Sequence, residues 1–210
     1  MELIIIGAGG FAKEIIFLVE RNNFFTIKGL VDDNYQHLPE EILDYPVLGG
    51  IDYLNQIRKN TAIAIGVAKP KIKQMIYHKI KNNGNLFFPN IIDNTALIGR
   101  EVSFGIGNII MPYTTFTAHI NFGNFNMVNI HSTIGHNSEI NNYNSIYPDV
   151  NLSGNVRIGS HNEFGVGTKV IQNIKIGNDN ITGAGSVVIR NIKDKMKLVG
   201  VPAKAIESWD

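Results

Sequence analysis

Four of the six histidines in this 210-residue chain, His119, His131, His136 and His161, fall in its second half, and His37 and His78 lie in the first. An imidazole titrates near neutral pH, so the free base is available to take a proton from a reacting group and pass it on. His136 is followed by Asn137 and then by Glu139. An amide can orient the ring, and a carboxylate can also stabilise its charged form. Near the N-terminus, Gly7, Gly9 and Ala12 satisfy the G-x-G-x-x-A pattern, and Asp32 and Asp33 follow about twenty residues on. A glycine turn opening a helix presents backbone N–H groups that suit any phosphate or pyrophosphate. Carboxylates after the second strand can accept hydrogen bonds from a base or a ribose. Taken alone the pattern suggests NAD, but a sheet of about four strands in about 85 residues is short for a full dinucleotide site. Phosphate or nucleotide binding and a purely structural tight turn both fit it.

These groups must be held by two kinds of element. From Ile98 to Val188, sixteen positions stepping by six are apolar except for Thr182: Ile98, Phe104, Ile110, Phe116, Phe122, Val128, Ile134, Ile140, Ile146, Leu152, Ile158, Phe164, Val170, Ile176, Thr182 and Val188. Glycine follows at Gly99, Gly105, Gly123, Gly135, Gly159, Gly165, Gly177 and Gly183. A hexapeptide repeat of this kind predicts a parallel β-helix, in which one apolar side chain per unit points inward and glycine relieves the bend. No unit buries its own face, so each must stack on the next. Three hexads per coil would place residues eighteen apart over one another at ~4.8 Å, and the array makes about five coils. Corners of such a coil are polar, so a histidine there is unremarkable by itself.

In the first part, the apolar run Leu3–Ile6 ends in the glycine turn, and Ala12, Ile15, Ile16 and Val19 follow at helical spacing. A second run, Ile27–Val31, ends in Asp32-Asp33, and a third, Ala62–Ile65, ends in Gly66 before a lysine-rich helix over about 69–81. Strands alternating with helices predict a small Rossmann-like parallel α/β sheet over residues 1–88, with an all-β repeat domain over 89–210. A formal net charge of +1 leaves no electrostatic footprint for nucleic acid or an anionic membrane. The absence of cysteine excludes disulfides and thiolate metal sites and is compatible with a cytoplasmic setting. The N-terminus has no basic stretch and reads as a buried strand, not a signal peptide, and no segment approaches the ~18 apolar residues of a membrane span.

The repeat resembles the left-handed β-helix of the hexapeptide-repeat acyltransferases. Ile134-Gly135-His136-Asn137 is similar to the Ile-Gly-His-Asp/Glu motif of their sialic-acid and bacillosamine branch, in which a small nucleotide-binding domain precedes the β-helix. The closing Val199-Gly200-Val201-Pro202-Ala203-Lys204 is similar to a common ending of these enzymes. The resemblance spans nearly the whole chain. It implies acetyl-CoA as co-substrate, a nucleotide-linked amino sugar as acceptor, and a homotrimer with the donor between neighbouring β-helices. It also implies His136 as general base, aided by Asn137. Asn137 stands where the family carries an acidic residue, and Glu139 or a stacked His119 could compensate. Ser145, where relatives often carry a histidine, would donate a hydrogen bond to the thioester, and Val166 and Ala184 would offer backbone contacts to pantetheine. Matching positions for the nucleotide sugar are Gly9, Gly10, Phe11, Asp32, Asp33 and Gly66, with Phe11 in place of a frequent histidine.

Together these readings point to acetyl-CoA-dependent N-acetylation of a UDP- or dTDP-linked 4-amino-4,6-dideoxy sugar for surface glycan. A hydroxyl must lose its proton as it attacks and so needs the base more, which with Asn137 favours an amine. Sugar or sialic acid O-acetylation remains open, as does a non-catalytic trimeric ligand-binding protein. A zinc site on His131 and His136, similar to the γ-class carbonic anhydrases, lacks a third imidazole in phase. An oxidoreductase leaves the repeat unused, and no metal is expected.

Overall fold

An apolar run without alternation is the pattern of a strand covered on both faces. Leu3–Ile6 accordingly lies fully buried in β1 (Glu2–Ile6), at the centre of a six-stranded sheet. The structure, a computed structural model, describes residues 1–209. The chain divides into two units, Met1–Ile91 and Ile92 onward.

In the first unit β1 is followed by α1 (Gly10–Asn22), β2 (Thr26–Val31), β3 (Glu41–Ile42), β4 (Tyr45–Gly49), β5 (Thr61–Ile65), α2 (Pro70–Ile80) and β6 (Leu86–Phe87). The strand order is β3-β4-β2-β1-β5-β6, and β1 pairs in parallel with both β2 and β5. About four strands were expected, and the additional pair is the antiparallel hairpin of β3 and β4. Its turn places Leu43 and Asp44 at φ 48° and 66°, the left-handed pair a tight two-residue hairpin needs. Neither residue is glycine or asparagine, so the usual turn signal is missing from the sequence. The chain leaves β1 toward β2 and later returns to β5 on the other side. The carboxyl ends of these strands therefore flank a switch point of the kind where α/β sheets bind ligands.

In the second unit all sixteen residues of the six-step series end a short strand. The strands form three parallel faces in which each residue lies beside the one eighteen positions on, as Ile98, Phe116 and Ile134 do. The first face ends at Ile110, Val128, Ile146, Phe164 and Thr182, the second at Ile98, Phe116, Ile134, Leu152, Val170 and Val188, and the third at Phe104, Phe122, Ile140, Ile158 and Ile176. From Ile110 to Ile176, and again at Val188, the apolar side chains of this series fill one continuous core, with Phe104 packed against it. Phe116 packs edge-on against Phe104 and Phe122 with ring centroids 5.1 and 5.2 Å away. The repeat begins one hexad earlier than read, since the strand Ile91–Ile92 already heads the first face. Ile98, at the open end of the repeat, is exposed, whereas Thr182 is buried and donates its hydroxyl to the Glu163 carbonyl at 3.2 Å.

Glycine does not relieve the bend as expected. The left-handed backbone falls two residues after the glycine phase, at every sixth residue from Glu101 to Gly185, and only Gly107, Gly167 and Gly185 of these are glycine. The glycines after the apolar residue answer a different demand, the close passage of the next coil. A Cβ on Gly135 would lie 2.5 Å from the backbone of Ser153 and Gly154, and one on Gly159 would lie 2.6 Å from the Gly177 carbonyl.

One corner carries an internal ladder of asparagines, buried at Asn108, Asn126, Asn144, Asn162 and Asn180. The side-chain oxygens of the first four accept the backbone N–H of the next rung at 2.7–2.9 Å, and that of Asn180 accepts the Met196 N–H at 2.9 Å. The far end is closed by Met196–Val199, parallel to the strand of Thr182, and by Lys204–Ser208 folding back antiparallel. The Val199–Lys204 motif is the turn of that hairpin.

Candidate active site

His136 sits at the corner between the second and third faces, after Thr133–Ile134 and before Glu139–Ile140. The corner is tied to the coils on either side. Asn137 N–H donates to the Ala118 carbonyl at 3.0 Å, and the His136 carbonyl accepts the Asn155 N–H at 2.6 Å. The His136 side chain is exposed, and its Nδ1 lies 2.8 Å from Asn137 Oδ1. An amide oxygen only accepts, so the proton of a neutral ring sits on Nδ1 and the lone pair is left on Nε2.

The two expected compensations are absent. Glu139 is turned to Arg157, whose guanidinium donates to it at 3.0 Å. His119 Nδ1 pairs with Glu101 at 2.7 Å. Glu139 and Glu101 each answer a partner one coil away, Arg157 and His119. Sequence reasoning missed Gly154, eighteen residues beyond His136, over which the imidazole lies. The stacking interval could have found it.

The other repeat histidines have different surroundings. His131 lies on the corner between the first and second faces with its ring 5.3 Å from that of Tyr113. His161 closes a stack on the third corner, 5.5 Å from Tyr143, which in turn lies 5.3 Å from Phe125. Among the described residues, no three His, Cys, Asp or Glu are grouped to hold a metal ion.

Val166 and Ala184 stack on the corner between the first and second faces, exposed and each flanked by glycines. Gly167 and Gly185 are left-handed, and Gly165 and Gly183 leave the Cβ space that neighbouring coils occupy. Ser145 departs from expectation. It lies within a strand of the first face with no exposed surface, so its hydroxyl cannot reach a thioester from this position.

Tyr147, two residues on, donates its hydroxyl to Glu163 Oε2 at 3.3 Å. Burial first, and then the Glu163 charge, push its phenol up from 10.0 to about 12. The neutral form is the one the fold favours, so its contribution is complete below pH 10 and lost as pH rises from 10 to about 12. Ultraviolet titration of the folded protein should leave one tyrosine protonated to about pH 12, and Tyr147→Phe should remove that late step.

In the first unit a cleft of about 410 Å³ opens at the carboxyl ends of β1, β2 and β5, lined by Gly7, Asp32, Asp33, Val67, Met75 and Lys79 among others. Asp32 is largely engaged by the fold: its two oxygens accept the N–H groups of Ala8 at 2.9 Å and Asn34 at 2.8 Å. It shapes the glycine turn from within. Asp33 accepts the Ile51 N–H at 2.8 Å and turns its other oxygen to Lys79 Nζ, 3.8 Å away. Lys79 also bonds Asp52 at 3.0 Å, and chiefly that bond holds its ammonium above the usual lysine range.

Gly7 is required by its φ of 100°, whereas Gly9 and Gly10 have ordinary φ and open space where a Cβ would stand. Nothing within the unit demands their lack of a side chain, and they open the uncapped N-terminus of α1 beside the half-buried Phe11. Gly66, expected to touch ligand, is explained by packing instead: a Cβ there would lie 3.0 Å from Ala12 and 2.9 Å from the Ile6 carbonyl.

Residues 2–80 match the PglD N-terminal domain. No curated protein matches the sequence. Among solved structures, the chain superposes on a perosamine N-acetyltransferase variant from Caulobacter crescentus in complex with CoA and GDP-perosamine. That match has a TM-score of 0.91 and 26% identity over 99% of this chain and 98% of that one. The acetyltransferase domain of PglB from Neisseria gonorrhoeae, in complex with acetyl coenzyme A, matches at TM-score 0.90 and 27% identity over 98% of both chains. WeeI from Acinetobacter baumannii shares the fold at TM-score 0.89 and 24% identity, over 98% of this chain and all of that one. A coil of opposite hand could not superpose over this length, so the left hand implied by the resemblance stands. The first domain is thus similar to the PglD N-terminal domain, and the chain as a whole has the architecture of the hexapeptide-repeat sugar acetyltransferases.

Proposed function

We propose that this protein transfers the acetyl group of acetyl-CoA to the amine of a nucleotide-linked 4-amino-4,6-dideoxy sugar, with His136 as general base. The observation that carries this reading is the 2.8 Å contact from His136 Nδ1 to Asn137 Oδ1, which leaves Nε2 as a free base. It occurs in a chain that superposes along its length on proteins solved with CoA and GDP-perosamine or with acetyl coenzyme A. The acceptor nitrogen attacks the thioester carbonyl, the N–C bond forms, and the C–S bond breaks. Nε2 takes one proton from the nitrogen and returns it to the departing sulfur, so the products are the acetamido sugar and CoA. Asn137 orients the ring without adding charge. That suffices for an amine, which attacks through its own lone pair.

In this reading the sugar nucleotide occupies the first domain, with its phosphates at the N-terminus of α1 near Gly9, Gly10 and Phe11. Asp33 and Lys79 face the nucleoside, and Asp32 acts by holding the turn. Val166 and Ala184 receive pantetheine. They stand on a different corner of the coil from His136, an arrangement that suits a donor lying between two neighbouring β-helices of a homotrimer. Exposed apolar side chains on the corners, among them Ile106, Ile130 and Ile171, favour the same burial. A cytoplasmic setting and a role in surface glycan synthesis belong to this reading. No helix is long and apolar enough to cross a membrane among the described residues.

Thiol release from acetyl-CoA, measured at neutral pH with UDP-, dTDP- and GDP-linked 4-amino sugars and with free sialic acid, tests it. Turnover on a nucleotide amino sugar is expected. Turnover confined to sialic acid would move the chain to O-acetylation, and silence on every acceptor would favour a ligand-binding protein. Sedimentation should give a trimer mass.

A further inference from the structure

We infer that Gly154 is the positioning residue of the imidazole, the seat that fixes where His136 presents Nε2. The inference rests on the reading of His136 as the base. Gly154 lies one coil beyond His136, at the same phase of the repeat. A Cβ built on it would stand 2.5 Å from His136 Nε2, 2.7 Å from Cε1 and 3.0 Å from Cδ2, and these imidazole atoms are the three nearest to it. Gly154 has no left-handed φ, so its backbone does not ask for glycine. A Cβ on Gly135 would meet backbone alone, and one on Gly105, Gly123, Gly159 or Gly177 an Asn or Asp oxygen together with backbone. Gly154 makes way for a side chain at the candidate centre.

The ring is therefore held at two points. Asn137 Oδ1 holds Nδ1 at 2.8 Å, and the bare Cα of Gly154 receives the Nε2 edge. Any side chain at 154 would occupy the place of Nε2 and turn the ring about its Cα–Cβ and Cβ–Cγ bonds. The bond to Asn137, short and directional, would not survive that rotation. One methyl group would thus disturb both the position of the base and the tautomer that leaves Nε2 unprotonated. Displacements of about 1 Å in a reacting group cost on the order of 10²-fold in rate.

Gly154→Ala should lower kcat by about 10- to 100-fold and leave KM for acetyl-CoA and for the nucleotide sugar within about twofold. The same substitution made on His136→Ala should change kcat by less than about twofold, because the group it displaces is already gone. Nitrogen NMR of histidine-labelled protein should show His136 with its proton on Nδ1 in the parent and a shift toward the Nε2-protonated form in Gly154→Ala. The double variant should melt with His136→Ala, since truncating the ring removes the clash. An unchanged tautomer, an unchanged kcat, or an equal loss in both backgrounds would overturn the assignment. So would a double variant that melts as low as Gly154→Ala alone. Full turnover by His136→Ala would instead sink the general-base reading, and the NMR and melting measurements would still decide the seat.

Discussion

Replacing His136 by alanine will lower turnover on the preferred nucleotide amino sugar by about 10²-fold or more, with little change in KM for acetyl-CoA. The side chain is exposed and contributes no core contact, so the loss cannot come from unfolding. It comes from the proton, because the two other groups expected to assist have partners elsewhere. Glu139 is engaged by Arg157, and His119 by Glu101. A decline below about tenfold would mean that the amine arrives deprotonated and that solvent removes the second proton. Neither outcome would alter the reading of the first domain, which a separate binding measurement with the nucleotide sugar addresses.

Asn144→Ala will be the most damaging polar substitution for stability, costing about 3–5 kcal/mol and lowering the melting temperature by roughly 10 °C or more. Asn144 is fully buried. Its oxygen accepts the Asn162 N–H at 2.9 Å, and its amide donates to the Gly159 carbonyl at 2.9 Å. Alanine would strand both buried partners at about 1–3 kcal/mol each and add a cavity. Asn155 supplies the control. Its amide donates to Asn173 at 2.7 Å in an exposed position, where water replaces the lost partner, so Asn155→Ala should cost only about 1–2 kcal/mol, mainly the strain of alanine at its left-handed φ of 56°. Calorimetry of the two variants checks the pair. Equal losses would mean the buried ladder is no stronger than the exposed one. Because Asn144 stands on a different corner from His136, kcat of the variant well below its melting point should be close to that of the parent.

Much of this protein is readable along the chain because its main contacts recur at a constant interval. A period of six identifies the inward residue of each unit, and three units per coil bring residue i beside residue i + 18. The core, the strand ends and the phase of every corner follow from that arithmetic. The strand-turn-helix start of the first domain is equally local, since Leu3–Ile6 and the helical spacing after it need no distant partner to be recognised. His136 and Asn137 were legible as a motif, and their adjacency already placed an acceptor beside the ring.

What tertiary structure alone decided concerns groups whose partners lie far along the chain or whose role depends on empty space. Asp32 looks free for a ligand until the Ala8 and Asn34 amides are seen on its oxygens, and Glu139 looks close to His136 until Arg157 claims it. Ser145 is a thioester donor by resemblance, yet it has no exposed surface. Gly66 serves packing, Gly9 and Gly10 leave space open, and Gly154 seats the imidazole, although one letter denotes them all. Local spacing determines where a side chain points. What it meets there depends on the surrounding coils and strands, and a missing Cβ has meaning only in relation to the atoms that would have touched it.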